Sequence, residues 1–191
     1  MPSSTTSRII NDASQYIAGP QDGWKGPADL SARCYAAWNE DAMYFAILVQ
    51  DNAVVPCSGA TSAWGTAVDM QWQQALTPGA CDLTISPAAG GKALVRPNGE
   101  ASSAVQGVTA ASAVSSTGYT IELRIPLTER NFPARQWQAG RPVKLSFLIH
   151  DSDDPKSEAP RKALGWSVSP DLKNAEDTSG WATVILDEAR P

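Results

Sequence analysis

The sequence has few of the residues that carry chemistry. Its 191 residues include one histidine, His150, three cysteines and three methionines. No GxSxG, HExxH or glycine-rich phosphate loop accompanies them, which removes the common hydrolase, metalloprotease and nucleotide-binding signatures. Cys34, Cys57 and Cys81 lack a CxxC spacing, an argument against a zinc or redox site. Positive charge is scarce as well. Lys and Arg number 15 against 20 Asp and Glu, giving a net charge of -5, and no basic stripe is present to attract a nucleic acid or an anionic membrane. The longest apolar run, Ala42 to Val49, is far below the ~20 residues of a membrane-spanning helix. No charged-then-apolar leader opens the chain, so residues 1–7, MPSSTTS, read as a linker. No segment sustains a helical period.

What is present is alternation. In YTIELRIPL the apolar residues are Tyr119, Ile121, Leu123, Ile125 and Leu127, with polar or breaking residues between them. VDMQWQ places Val68, Met70 and Trp72 opposite Asp69, Gln71 and Gln73, and VKLSFLI aligns Val143, Leu145, Phe147 and Ile149. AMYFAILV is apolar on both faces, as a central strand would be, and WATVIL supplies a last strand. Glycine and proline, 14 of each, separate these runs in AGPQDGWKGP, TPGA, PAAGGK, RPNG and AGRP. The pattern predicts a single all-β domain over residues 8–191. Its form is an antiparallel β-sandwich, immunoglobulin-like or jelly-roll-like, of about eight to ten strands.

The candidate functional residues are aromatic and acidic. Of the seven tryptophans, Trp38, Trp72 and Trp181 lie in apolar runs and read as packing residues. Trp64, in the small-residue loop SGATSAWGTA, and Trp166, beside Gly165, suit either a stacking platform for a sugar ring or a cover over a sandwich edge. Asp151, Asp153, Asp154 and Glu158 cluster in HDSDDPKSE, and Asp51 ends an earlier strand. Calcium takes six to eight oxygens, so these acids suit either a calcium site or a solvated acidic loop. Cys57 and Cys81 bracket Trp64 to Gln73. A hairpin-like return there would join them in a disulfide, and two free thiols are the other reading, while Cys34 reads as a buried thiol. His150 beside Asp151 offers at most the fragment of a catalytic triad.

Seven segments in one order carry a resemblance: GWKGPADLSA, YAAWNEDAMYFAILVQDN, WGTAVDMQW, GYTIELRIPL, VKLSFLIHDSDD, RKALGWS and SGWATVIL. Together they resemble the carbohydrate-binding module family 9-like domains, related to the DOMON superfamily, from about Trp24 to Leu186. The resemblance implies a non-catalytic β-sandwich, secreted and extracellular, that binds an oligo- or polysaccharide and accompanies a polysaccharide-active enzyme such as a glycoside hydrolase. It also implies structural calcium, for which Asp51, Asp151, Asp153 and Asp154 are the candidates. Trp64 matches the first clamp tryptophan and Asp69 the carboxylate after it. Thr84 and Ser86 stand where the family places an arginine and an asparagine. The second clamp tryptophan has no aromatic counterpart in the loop after Trp166, where Asn174 offers a hydrogen bond. The rival reading is a DOMON-type haem electron-transfer domain, with Met43, Met70 and His150 as axial ligands.

Overall fold

The alternating runs become two stacked antiparallel sheets in the computed structural model, which describes residues 5–56, 65–74, 81–98, 105–128, 131, 140, 142–153, 162–168 and 178–185. The strands are β1 (Thr5–Ile10), β2 (Tyr16–Ala18), β3 (Leu30–Trp38), β4 (Ala42–Asp51), β5 (Ala67–Gln74), β6 (Cys81–Pro87), β7 (Ala93–Pro97), β8 (Thr109–Ser115), β9 (Gly118–Pro126), β10 (Pro142–Asp151), β11 (Lys162–Trp166) and β12 (Ala182–Ile185). One sheet has the order β1-β3-β4-β9-β8 and the other β2-β11-β10-β5-β6-β7, with β12 paired to the near end of β10. Helix is limited among the described residues to single 3₁₀ turns at Ala13–Gln15 and Ala89–Gly91.

Each alternating run buries the face that its pattern marks as apolar. Tyr119, Ile121, Leu123 and Ile125 of β9 meet Val68, Met70 and Trp72 of β5 and Val143, Leu145, Phe147 and Ile149 of β10 in one core. The opposite faces, with Glu122, Asp69, Gln71 and His150, reach solvent in part or in full. β4 takes the central place that its two-sided apolarity predicts. Trp38, Trp72 and Trp181 are buried as packing residues. The β8–β9 hairpin depends on Gly118, whose φ of 146° and close approach to the Val49 carbonyl leave no room for a Cβ.

Three expectations need correction. Twelve strands are described rather than eight to ten, because β1, β2 and β8 are edge strands and β7 is short, and such strands show little apolar contrast. Residues 5–7 are the first half of β1, paired to Ala37, Ala36 and Tyr35, and not a linker. Cys81 carries a free thiol and not a disulfide sulfur. It lies directly opposite Trp72 and packs toward the core, and Cys57 lies outside the described residues. Cys34 is the buried thiol that its run predicts.

Candidate functional site

The outward face of the β2-containing sheet carries a continuous polar network with Asp69 at its centre. Strand register builds it. Leu148, Asp69, Thr84 and Arg96 stand in one cross-strand row from β10 to β7, and Ser146, Gln71 and Asp82 stand in the next. Asp69 accepts the Thr84 hydroxyl at 2.6 Å on Oδ1, and its Oδ2 lies 2.6 Å from His150 Nε2. Asn98, just past β7, donates to Thr84 at 2.9 Å and to Asp82 at 3.1 Å, while Gln71 donates to the other Asp82 oxygen at 3.0 Å. Burial raises the Asp82 carboxyl above its ordinary value, opposed by the Gln71 amide and reinforced by the Asp69 charge. A sheet face with two carboxylates, two amides, a hydroxyl and an imidazole, all fixed by one another, presents planar hydrogen-bonding groups to a polyhydroxylated ligand.

The structure brings together Asp69, Thr84 and Ser86 from the sequence-derived set. Arg96 of β7 donates to Ser86 at 3.3 Å, which sets a guanidinium beside Ser86 as Asn98 sets an amide beside Thr84. Trp166 is not part of this face. Its register opposite Phe147 turns the ring inward, 6.0 Å from the Phe147 ring, with the Arg8 guanidinium 5.6 Å from its centroid. Gly165 occupies the outward position beside Leu148, covered by Val168 and Ile17. Trp64 and Asn174 lie outside the described residues. Of the residues named for the haem reading, Met43 and Met70 are both 1% exposed inside the core, on different sheets, whereas His150 points outward to Asp69.

The acidic candidates form a second cluster at the far ends of β4 and β10. Asp51 and Asp151 are fully buried, and Asp153 stands beside them. Asp154 lies outside the described residues. Two members were not legible in the sequence, Asp29 and Lys162. The Lys162 ammonium sits 2.7 Å from Asp151, 2.9 Å from Asp29 and 3.0 Å from Asp153. Asp51 is held apart from it by the Ala53 amide at 2.7 Å and the Thr66 hydroxyl at 3.3 Å. Burial pushes the Asp151 carboxyl up to about 7, with Lys162 pulling against it and Asp51 and Asp153 adding to it. Burial also opposes the Lys162 charge, but its three carboxylates outweigh that and hold the ammonium above its ordinary value. Asp29 is itself anchored by the Lys25 amide at 2.9 Å and the Asn52 side chain at 3.1 Å.

Comparison with known proteins agrees with this architecture. Over 97% of its length the chain superposes on 84% of a family 9 carbohydrate binding module from Caldicellulosiruptor kristjanssonii in complex with cellotriose, at TM-score 0.67 and 13% identity. A structure of a family 9 module from the same organism with glucose matches 92% of this chain and 82% of that one, at TM-score 0.64 and 13% identity. At these identities the likeness is one of fold. No curated protein matches the sequence. The sequence pattern of the carbohydrate family 9 binding domain-like family matches residues 10–189, and the chain therefore belongs to that family.

Proposed function

We propose that this domain is a non-catalytic carbohydrate-binding module whose ligand lies across the Asp69 face. The observation that carries the reading is the Thr84–Asp69–His150 arrangement on an outward sheet face, extended by Asn98, Asp82 and Gln71. These groups are held before a ligand arrives, so little ordering entropy is spent on them when it does. Membership of the family supports carbohydrate as the ligand class, and the structural neighbours bound to cellotriose and glucose suggest glucose-based oligosaccharides as the first candidates. Trp64, shortly before β5 in sequence, is the proposed stacking platform, and Asn174, in the sequence after β11, the proposed partner. In this reading the domain works outside the cell and holds a polysaccharide-active enzyme near its substrate, raising local substrate concentration without chemistry of its own.

Isothermal titration with cellotriose and glucose, preceded by a glycan array, tests the proposal. Binding that disappears in Trp64→Ala and in His150→Ala, with melting temperatures kept close to the parent protein, is the expected result. Failure of the intact domain to bind any neutral glycan on the array would refute the reading, and a Soret band in the purified protein would revive the haem alternative.

A further inference from the structure

We infer that the Lys162 ammonium is the resident cation at the Asp29–Asp151–Asp153 edge, so that the domain closes this edge without the structural calcium that its resemblance implies. The carboxylate oxygens of these three residues lie within 4.8 Å of one another, the spacing of a cation site. Calcium would occupy it with oxygens at about 2.3–2.6 Å. The ammonium is already there, in ion-pair distance of all three at 2.7 to 3.0 Å, and it donates a hydrogen bond to Asp29. A divalent ion sharing these oxygens would stand within a few ångströms of a buried positive charge, a repulsion that the low local dielectric magnifies.

Lys162 does not reach this point by chance of a flexible side chain. It is the cross-strand partner of Asp151 in the β10–β11 ladder, so sheet register delivers it to the acid. It is 8% exposed, and a lysine is almost never buried without anionic partners. Asp29 comes from the turn before β3, 133 residues away in sequence, so the ammonium ties the start of β3 to the junction of β10 and β11. Both Asp151 carboxylate oxygens are buried without a hydrogen-bond partner among the described residues, so Asp151 meets the ammonium as an ion pair, 2.7 Å from Oδ2. The same oxygens would be released for a metal if the lysine side chain were removed.

The test compares the intact domain, Asp153→Asn, Lys162→Ser and Lys162→Ser/Asp153→Asn in EGTA and in millimolar calcium. The expected result is that the parent protein melts at the same temperature in both, within about one degree, and that Lys162→Ser melts lower in EGTA but recovers several degrees in calcium. Native mass spectrometry then finds one additional calcium on Lys162→Ser, which the added Asp153→Asn change removes. If Lys162→Ser does not fold in EGTA, refolding from denaturant with and without calcium, followed by tryptophan fluorescence, gives the same comparison. Two outcomes would overturn the inference: calcium stabilisation of the parent protein that Asp153→Asn alone abolishes, or a Lys162→Ser protein indifferent to calcium.

Discussion

Asp69→Asn is the substitution that separates binding from folding most cleanly. The carboxylate is held by Thr84 at Oδ1 and by His150 at Oδ2, both at 2.6 Å, and its side chain is 20% exposed. Asparagine keeps the shape and removes the charge. Its amide nitrogen must face either the Thr84 hydroxyl or His150, and either choice weakens one of the two bonds. A hydrogen bond to a charged group contributes about 1.5–3 kcal/mol, so a sugar hydroxyl that relies on this carboxylate loses roughly 10- to 150-fold in affinity. The folding cost is smaller, because the position is solvated and its core-side neighbours Val68 and Met70 are untouched. About 1 kcal/mol corresponds to a drop of roughly 2–4 °C for a domain of this size. Isothermal titration with the best array ligand, run beside differential scanning calorimetry, reads both quantities. Affinity within about twofold of the parent protein would refute the placement of the ligand. A fall in melting temperature of more than about 10 °C would instead make Asp69 a structural residue.

Trp72→Ala should act in the opposite sense: the ring is 2% exposed, its loss costs about 3–5 kcal/mol, and a chemical denaturation curve shifted by less than about 1 kcal/mol would contradict the assignment. Neither Cys34, whose thiol burial pushes up to about 12, nor Cys81, pushed up to about 11 by burial and then by Asp82, should react with a disulfide reagent in the folded state at mildly alkaline pH. Peptide mapping of either residue after brief native labelling would count against the fold around it. The Asp151 carboxyl, at about 7 in the folded protein, lies above its unfolded value of 3.8, so folding takes up a proton there. That contribution is complete below the unfolded value and is lost as pH rises through the folded one. The melting temperature should decline between about pH 5 and pH 8, and Asp151→Asn should flatten the decline; a rise over that window in the parent protein would overturn the sign.

How much was legible depended on how local the determining contact is. β5, β9 and β10 announce themselves because their core and solvent faces differ at every second residue, and β4 because it has no polar face to show. β8, reading TAASAVS, buries only Ser112 fully, and so offers no apolar contrast to read. Asp69 was visible from its strand and its place in the family pattern. Its partner His150 is 81 residues away, and nothing near either residue indicates their contact. From its sequence context beside Gly165, Trp166 suits either a sugar platform or a cover over a sandwich edge. The face of a strand residue, however, is set by register, and the pairing to Phe147 turned the ring inward. Lys162, in RKALGWS, has nothing in its local sequence that marks it as buried. Its burial follows from acids brought there by two separate chain segments, Asp29 before β3 and Asp151 and Asp153 at the end of β10. Arg96 and Asn98 were hidden in RPNG, which reads as a turn although its first half belongs to β7.

The order of strands in the two sheets governs how the chain can assemble. The sheets are not built from separate halves of the sequence: one takes β1, β3, β4, β8 and β9, while the other takes β2, β5, β6, β7, β10, β11 and β12. A chain that has reached only β7 holds β4 without β9 and β5 without β10. Two long strands destined for sheet interiors would then display unpaired amide and carbonyl groups along one side, a template for joining other chains. Neither sheet can close until β9 and β10 arrive, so folding must wait for long-range pairings and should be slow for a domain of this length. A boundary drawn anywhere between β4 and β9 would cut through both sheets at once, and fragments ending there should aggregate instead of folding to half of the sandwich.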